Sequence, residues 1–339
     1  MIRLSDHIAS AGGWLSLERF MEIALYDPEE GYYSASIQNV GIRGDFSTTA
    51  TLSPLLARAI VGEWRKACKE FHKKLPFIEI GAGNAALGVA IQEELGFFGR
   101  LGTSYHVVET SSQLRSLQFL ALGNRCEVHG TMVKALKSCR GQAFIFSNEL
   151  VDAFPARIFE QTETGWQEVG VVVKDGQIVE ECRPIEHQPH SYVFEYTAPI
   201  GQRIEIHESY EKWFFSWLPC WKSGIMTTID YGDLFENLYI RRPKGSLRGY
   251  CHHTLLMGME LYHNVGKCDL TCDVNFSDLQ HLVAQCPGDD CQLMTQRDYL
   301  MPYAQQSQKE PRVDQYLTSK NGPGDSFKVM IQTRQPMAH

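Results

Sequence analysis

The sequence lacks the marks of a membrane, secreted or nucleic-acid-binding protein. No segment approaches the roughly 18 uninterrupted apolar residues that a membrane-spanning helix needs, so no span is predicted. Residues 1–20 have neither the apolar core of a secretory signal nor an Arg-rich, acid-poor composition. Positive charge is also in deficit: 32 Lys and Arg residues face 40 Asp and Glu residues, and the net charge of -8 disfavours nucleic acid as a partner.

Clustered cysteines are also missing, although the chain contains 10 of them. A chain of 339 residues buries enough apolar surface to fold without disulfide bonds, so reduced thiols and a cytoplasmic location are predicted. The pair Cys268 and Cys272 lacks a convincing second pair of zinc ligands, and no metal site is predicted. A composition of 43% hydrophobic and 21% charged residues is ordinary for a folded globular protein.

Strand-like and helix-like segments alternate in the first half of the chain. The apolar run 77–80 leads through Gly81-Ala82-Gly83 into residues with helical apolar spacing, and the run 105–108 is likewise followed by a helical pattern. This alternation predicts an α/β fold with a parallel sheet. Further strands are predicted at 126–129, 143–146, 224–230 and 327–331.

The pattern changes after residue 156, where short strands are joined by Gly-containing turns such as Lys174-Asp175-Gly176. Antiparallel structure is expected there. Residues 233–326 are rich in turns and polar residues and are predicted to be an insertion that covers the site. The predicted division is an N-terminal extension with a covering loop at 1–75, a core at 76–160, 207–232 and 327–334, a β-rich insertion at 161–206, and the covering insertion.

The ends of the predicted strands carry the candidate binding residues. Ligands bind beyond the carboxyl ends of the strands in an open parallel sheet, which directs attention to Gly81, Glu109, Asn148 and Asp230. Glycine at positions 81 and 83 lets backbone approach a ligand closely, and Glu109 can accept two hydrogen bonds from ribose hydroxyls. This combination predicts an adenosine-containing cofactor, with NAD and S-adenosyl-L-methionine both open.

The turn itself favours the second of these cofactors. A dinucleotide fingerprint would have a third glycine where this chain has Ala86. The carboxylate of Glu79, directly before the turn, is poorly placed beside a pyrophosphate and well placed near a cation. S-adenosyl-L-methionine carries a sulfonium and an amino group and no phosphate.

Eight motifs occur together and in order along essentially the whole chain. They are YDPEEGYYS (26–34), GIRGDFSTT (41–49), EIGAGNAAL (79–87), VVETS (107–111), SNELVDAFP (147–155), DYG (230–232), LRGYCHH (247–253) and DLTCDVNF (269–276). Together they resemble the MidA family of S-adenosyl-L-methionine-dependent methyltransferases. The resemblance implies the class I fold, a seven-stranded Rossmann-like sheet whose last strand is antiparallel, with an N-terminal helical and loop extension and an inserted α+β region.

The resemblance also implies an activity and a partner. It predicts a protein-arginine N-methyltransferase that dimethylates an arginine side chain of a protein substrate symmetrically, in the assembly of a respiratory complex. Two departures from the family pattern, Thr51 in place of a usual glutamate and Asn275 in place of a common aspartate, keep an assembly factor with little turnover open. A small-molecule methyltransferase is the other alternative. The oligomeric state stays open, a dimer included.

Arg43-Gly44-Asp45 is the tripeptide that adhesion proteins present to integrins, but the absence of a secretory route argues against that function. The resemblance implies instead that this segment is a loop folded over the cofactor. The predicted cofactor-binding residues are Gly44, Asp45, Glu79, Gly81, Gly83, Glu109, Asn148 and Glu149.

The predicted catalytic residues follow from the chemistry of a guanidinium, which is a poor nucleophile while its charge is delocalised. Carboxylates hold its planar fork and localise the charge, and Glu149 is predicted to be the principal ligand, supported by Asp152 or Asp230. Asp152 fits an N-cap equally well. His253 matches a family histidine and is predicted to accept the proton or bind the substrate. Two further carboxylates are available at Asp269 and Asp273.

Overall fold

The computed structural model describes residues 3–36, 53–251, 254–304 and 311–336. The predicted site residues Gly44, Asp45 and His253 lie outside these ranges, as does Thr51. Within the described ranges, we find no helix with the length and hydropathy needed to cross a bilayer.

Sixteen strands are present in the described ranges. They are β1 (Leu15–Ser16), β2 (Phe77–Ile80), β3 (Tyr105–Val108), β4 (Glu127–His129), β5 (Gln142–Asn148), β6 (Arg157–Thr162), β7 (Gly165–Lys174), β8 (Gln177–Pro184), β9 (Arg203–Ile206), β10 (Ser223–Asp233), β11 (Arg248–Cys251), β12 (Thr254–Leu256), β13 (Asp269–Thr271), β14 (Val274–Asn275), β15 (Asp289–Thr295) and β16 (Phe327–Arg334).

The α-helices of the described ranges are mostly short. They are α1 (Leu4–Ser10), α2 (Leu17–Tyr26), α3 (Leu55–Glu70), α4 (Ala86–Arg100), α5 (Ser112–Leu122), α6 (Met132–Ser138), α7 (Glu208–Trp217), α8 (Phe235–Arg241), α9 (Met259–His263), α10 (Phe276–Ala284), α11 (Gln296–Ala304), α12 (Pro311–Leu317) and α13 (Pro323–Ser326).

The chain forms two compact units, each built from three segments. The unit that we call the mixed-sheet unit comprises residues 39–150, 214–231 and 280–339. The unit that we call the antiparallel unit comprises residues 1–38, 151–213 and 232–279.

A mixed sheet organises the first unit, with strand order β4-β3-β2-β5-β10-β16-β15. Strands β4, β3, β2, β5 and β10 pair in parallel, whereas β16 is antiparallel to both β10 and β15. The α/β prediction is confirmed, as is the prediction of an antiparallel strand near the carboxyl terminus. Strand β15 lies within the expected covering insertion. It was not predicted because its sequence, DDCQLMT, has little apolar character.

Apolar packing on both faces explains why these segments form strands. All residues of β2 and β3 are buried, as expected for parallel strands that are covered by helices on either side. Phe77 of β2 lies at the centre of the core, where the ring of Trp64 from α3 stacks on it at 5.1 Å and the ring of Phe144 meets it edge-on at 5.5 Å. This packing fixes the strands whose ends carry the candidate site.

The second unit consists mainly of antiparallel strands. Strand β7 pairs with β8 along residues 167–174, and also with β6 and with the short β1. Strand β11 pairs with β12 and β13 in a separate small sheet, and β14 pairs in parallel with Gly232 and Asp233 at the end of β10. The antiparallel structure expected after residue 156 is confirmed.

Gly224→Ala should destabilise the mixed-sheet unit. Gly224 has φ +132°, and a Cβ atom there would lie 1.9 Å from the carbonyl oxygen of Ala143 in the paired strand. We expect the free energy of unfolding to fall by more than about 2 kcal/mol, the usual scale of overpacking, in a urea titration. Gly130→Ala is the matched control, because the nearest atom to its Cβ would be 3.9 Å away. Equal stability of the two variants would contradict the prediction.

Candidate active site

The Gly-rich turn after β2 adopts the left-handed conformation that glycine allows. Gly81 has φ +66° and Gly83 has φ +52°. Ala85, the residue before α4, also has a positive φ. A Cβ atom on Gly81 would lie 2.8 Å from Cδ1 of Leu150. The Gly81 N–H donates to the carbonyl oxygen of Val108, which holds the turn against the end of β3. This edge of the sheet is therefore lined by closely approaching backbone.

The carboxylate of Glu109 lies at the end of β3 and is nearly buried. Its Oε1 accepts the N–H of Ser111 at 2.8 Å, and its Oε2 accepts a hydrogen bond from Nε2 of Gln118 at 3.2 Å. Burial raises the pKa of Glu109, and these hydrogen bonds oppose the rise. The predicted ribose ligand is thus held in one orientation at a strand end.

Gln118 is a site residue that the sequence analysis missed. Its Nε2 also donates to the carbonyl oxygen of Gly83 at 3.0 Å, so one side chain joins the turn after β2 to Glu109 after β3. The residue is fully buried on the face of α5 that Leu114 and Leu122 share with it. A glutamine at an apolar-face position, four residues from a leucine on either side, was the available signal.

Glu79 was predicted to face the cation of the cofactor, and the structure gives its carboxylate a protein partner. Oη of Tyr105 donates to Glu79 Oε2 at 2.6 Å, and a Cβ atom on Gly88 of α4 would lie 2.8 Å from the same oxygen. Burial raises the pKa of Glu79 to about 7. The carboxyl group therefore lies between β2, β3 and α4, and its contact with a cofactor stays a prediction.

Glu149 follows β5 in a conformation that few residues other than glycine adopt. Its φ is +54°, its N–H donates to the carbonyl oxygen of Ile229 at 2.9 Å, and its Oε1 accepts from Nδ2 of Asn148 at 3.2 Å. The carboxylate of Asp230 is fully buried and accepts the N–H groups of Leu150 at 3.1 Å and Tyr231 at 2.9 Å. Asp230 thus fixes the backbone that follows Glu149.

Asp152 belongs to the antiparallel unit and is 4% exposed. It lies inside the 3₁₀ turn Val151–Ala153 rather than at its N-cap, and its carbonyl oxygen accepts the N–H of Cys272 at 3.0 Å. The structure therefore does not support the N-cap alternative for this residue.

The two further carboxylates of the antiparallel unit have partners of their own. Asp269 accepts a 2.6 Å hydrogen bond from Oη of Tyr33. Asp273 forms ion pairs with Arg248 at 2.6 Å and Arg242 at 3.1 Å, so its charge is compensated within the protein. Asn275, at the position of a common family aspartate, accepts the N–H of Ser277 through Oδ1, as an aspartate would in the first turn of α10.

The hydrogen-bond acceptors at the edge of the mixed sheet fit an adenosyl cofactor. Two buried amide oxygens, Oε1 of Gln118 and Oδ1 of Asn148, have no hydrogen-bond partner among the described residues. A buried acceptor without a partner costs about 1–3 kcal/mol, which a bound ligand with hydroxyl or amino groups would recover. Together with the Glu109 carboxylate and the open turn at Gly81, these acceptors match ribose hydroxyls and an amine.

Comparison with known proteins identifies the family. The model of the Methyltransf_28 family, described as S-adenosyl-L-methionine-dependent methyltransferases, matches residues 55–294. The chain belongs to this methyltransferase family. The enzymes of this family use S-adenosyl-L-methionine as their cofactor. The predicted cofactor and the predicted reaction class are therefore confirmed.

Relatives of known name or structure agree with this assignment. The methyltransferase is 26% identical to protein arginine methyltransferase NDUFAF7, mitochondrial, of Danio rerio, over 94% of this chain and 79% of that protein. It is 25% identical to the Homo sapiens protein of the same name, over 83% of this chain and 68% of that one. A superfamily member from Burkholderia thailandensis, crystallised with S-adenosylhomocysteine, is 26% identical with a TM-score of 0.84, covering 98% of this chain and 90% of that one.

The predicted cytoplasmic location is wrong by this comparison. The named relatives from Danio rerio and Homo sapiens are mitochondrial proteins. The prediction rested on reduced thiols and the composition of the first residues, and reduced thiols do not distinguish one reducing compartment from another.

The buried Glu79 should give the methyltransferase a measurable pH dependence of stability. Burial raises the pKa of Glu79 to about 7 in the folded protein, whereas the unfolded chain has the ordinary glutamate pKa of 4.5. The contribution of Glu79 is therefore present in full below pH 4.5 and is lost as the pH rises through about 7. Relative to Glu79→Gln, the wild type should lose about 3 kcal/mol of unfolding free energy across this window.

Urea titrations of both proteins at several pH values measure this difference. Glu93→Gln, a substitution on the exposed side of α4, is the control and should track the wild type. A stability difference between wild type and Glu79→Gln that does not change with pH would show that Glu79 is ionised when buried.

Proposed function

We propose that this methyltransferase is a protein-arginine N-methyltransferase that symmetrically dimethylates an arginine of a protein partner during respiratory-complex assembly. Relatives that are 24–26% identical to this chain over most of its length are named protein arginine methyltransferases, which supports the arginine substrate. The geometry of Glu149 is the structural observation that carries the proposal.

The backbone at Glu149 is strained and tightly held. A non-glycine residue in the left-handed region costs on the order of 1–3 kcal/mol and persists only where its surroundings fix it. Here the Glu149 N–H donates to the carbonyl oxygen of Ile229, and the N–H of the next residue, Leu150, donates to the carboxylate of Asp230. These two hydrogen bonds fix the backbone of Glu149. Such strain at a partly exposed carboxylate is typical of a residue whose position matters for function.

Glu149 has the chemistry that an arginine substrate needs. A glutamate carboxylate binds two N–H groups of a guanidinium in one plane, which orients the fork and localises its charge. Bound S-adenosyl-L-methionine supplies the electrophilic methyl group. Glu149 then holds the guanidinium so that the nitrogen that accepts the methyl group has its lone pair directed away from the carboxylate.

Asp230 has a supporting role in this proposal. Both carboxylate oxygens of Asp230 hold backbone N–H groups, so we assign it to positioning Glu149 rather than to direct contact with the substrate. Asp152, which belongs to the antiparallel unit, stays a prediction from the sequence. His253 as proton acceptor, and Gly44 and Asp45 as cofactor ligands, stay predictions for residues beyond the described ranges.

Cofactor binding is assigned to the edge formed by β2, β3 and β5. Glu109 accepts the ribose hydroxyls, backbone at Gly81 and Gly83 contacts the adenosyl and methionyl portions, and Asn148 Oδ1 accepts from the amino group. Glu79 supports the turn through Tyr105. The strand order β4-β3-β2-β5-β10-β16-β15, with β16 alone reversed, supports assignment to the seven-stranded class I fold.

Glu109→Gln should weaken binding of S-adenosylhomocysteine by about 10- to 100-fold, because the neutral amide cannot accept two charge-assisted hydrogen bonds from the ribose. Isothermal titration calorimetry of the untagged full-length chain measures this change. Glu93→Gln should bind as the wild type does. Unchanged affinity in Glu109→Gln would remove this residue from the ribose site.

Glu149→Gln should lower the rate of arginine methylation by at least about 100-fold, the scale expected when one preorganised charged partner of a reacting group is removed. The measurement is mass spectrometry of dimethylarginine in extract from cells that lack the gene, incubated with the enzyme and methyl-deuterated S-adenosyl-L-methionine. The loss in rate should exceed any loss in S-adenosylhomocysteine affinity, which is measured in parallel.

Two results would contradict the proposal. Full methylation by Glu149→Gln would show that another group holds the substrate. Wild-type protein that binds the cofactor and labels no arginine in the extract would favour an assembly factor with little turnover, and label on a small molecule would favour the other alternative.

A further inference from the structure

Three side chains with metal-binding atoms share one face of the mixed sheet, near its β4 edge. His106 lies on β3, and Glu127 and His129 lie on β4. The strands pair in parallel with His106 opposite Glu127 and Val108 opposite His129. Because side chains alternate along a strand, Glu127 and His129 project to the same face, where they meet His106.

The spacing of the three atoms matches one face of a tetrahedral metal site. Nδ1 of His106 lies 3.0 Å from Nε2 of His129, and Oε2 of Glu127 lies 3.6 Å from the first nitrogen and 3.7 Å from the second. Metal–ligand bonds of about 2.0–2.1 Å in a tetrahedral zinc site put neighbouring ligand atoms about 3.3 Å apart. The three atoms therefore need only small shifts to surround one ion.

A fourth residue orients the buried ligand. Nε2 of His106 lies 3.0 Å from Oγ of Ser104, so the proton can reside on Nε2 and leave the Nδ1 lone pair directed at His129 and Glu127. Metal-ligating histidines usually make such a second hydrogen bond, which fixes their tautomer.

We propose that His106, Glu127 and His129 bind one divalent transition-metal ion, with zinc as the best fit. Two imidazoles and one carboxylate suit zinc, and more generally the late first-row metals, better than calcium or magnesium, which prefer oxygen ligands. The side chain of Glu127 is 64% exposed, so solvent reaches the cluster and a water molecule completes the coordination. The sequence analysis predicted no metal because the ligands come from two strands and form no recognised spacing.

The location of the cluster assigns it a structural role. The carbonyl oxygen of His129 accepts the N–H of Glu109 at 3.0 Å, so the strand that carries two ligands also holds the backbone of the predicted ribose ligand. An ion bridging β3 and β4 would fasten this short edge strand, whose three residues are not fully buried. The metal site is independent of the methylated substrate.

Cobalt titration of the untagged, EDTA-treated full-length chain tests the proposal. We expect one equivalent of Co²⁺ to bind with the strong visible absorption of four-coordinate nitrogen and oxygen ligation, and Zn²⁺ to displace it. Glu127→Gln and His129→Ala should each weaken Zn²⁺ binding by more than about tenfold, since loss of even an outer partner costs about 10- to 100-fold. Ser104→Ala should weaken it by about tenfold.

His263→Ala, which removes an exposed histidine from α9, is the matched control and should bind as the wild type does. Far-ultraviolet circular dichroism and binding of S-adenosylhomocysteine verify that each variant is folded. Because Glu127 is exposed, its variant keeps the test decisive even if His129→Ala fails to fold. No stoichiometric binding by the wild type, or unchanged binding by Glu127→Gln, would overturn the proposal and leave His106 and His129 as a hydrogen-bonded structural pair.

Discussion

The parallel pairing of β2 with β3 and β5 is the constraint on which the rest of the mixed-sheet unit depends. The register places Ile80 beside both Val108 and Ser147, and Thr228 of β10 beside Ser147 as well. Strands β2 and β3 therefore end at the same level and β5 ends one residue beyond it, whereas β10 continues to Asp233. Since a parallel strand delivers its carboxyl end to one edge of the sheet, the residues that follow β2, β3 and β5 lie along that one edge.

Buried polar groups then link these strand ends to one another. Gln118 joins the turn after β2 to Glu109 after β3, and Asp230 joins β10 to the backbone after β5. Each contact is costly to leave unmade in a dry interior, so the ends cannot move independently without losing hydrogen bonds. The edge of the sheet is thus a preorganised surface rather than a set of loose loops.

The same edge carries features that a structure optimised only for stability would avoid. A carboxyl group is buried at Glu79 with a raised pKa, a glutamate occupies the left-handed region at position 149, and amide oxygens of Gln118 and Asn148 are buried without a partner in the described part of the chain. Stability is supplied elsewhere, by the aromatic packing around Phe77. Strained and polar groups at one edge of a well-packed sheet are the usual signature of a binding site.

The sequence by itself determined the alternation of strands and helices, the Gly-rich turn at Gly81, and the carboxylate that follows β3, because apolar periodicity and glycine act locally. Only the tertiary structure decided which groups meet. Four contacts join residues from different elements. They are the hydrogen bond from Tyr105 to Glu79, the hydrogen bond from Gln118 to Glu109, the hydrogen bond from the backbone of Leu150 to Asp230, and the contact of His106 with His129. Strand β15 likewise exists because β16 offers it a partner, not because its own residues favour a strand. Hydrogen bonds between distant segments depend on how those segments pack, and a local pattern of residues does not predict that packing.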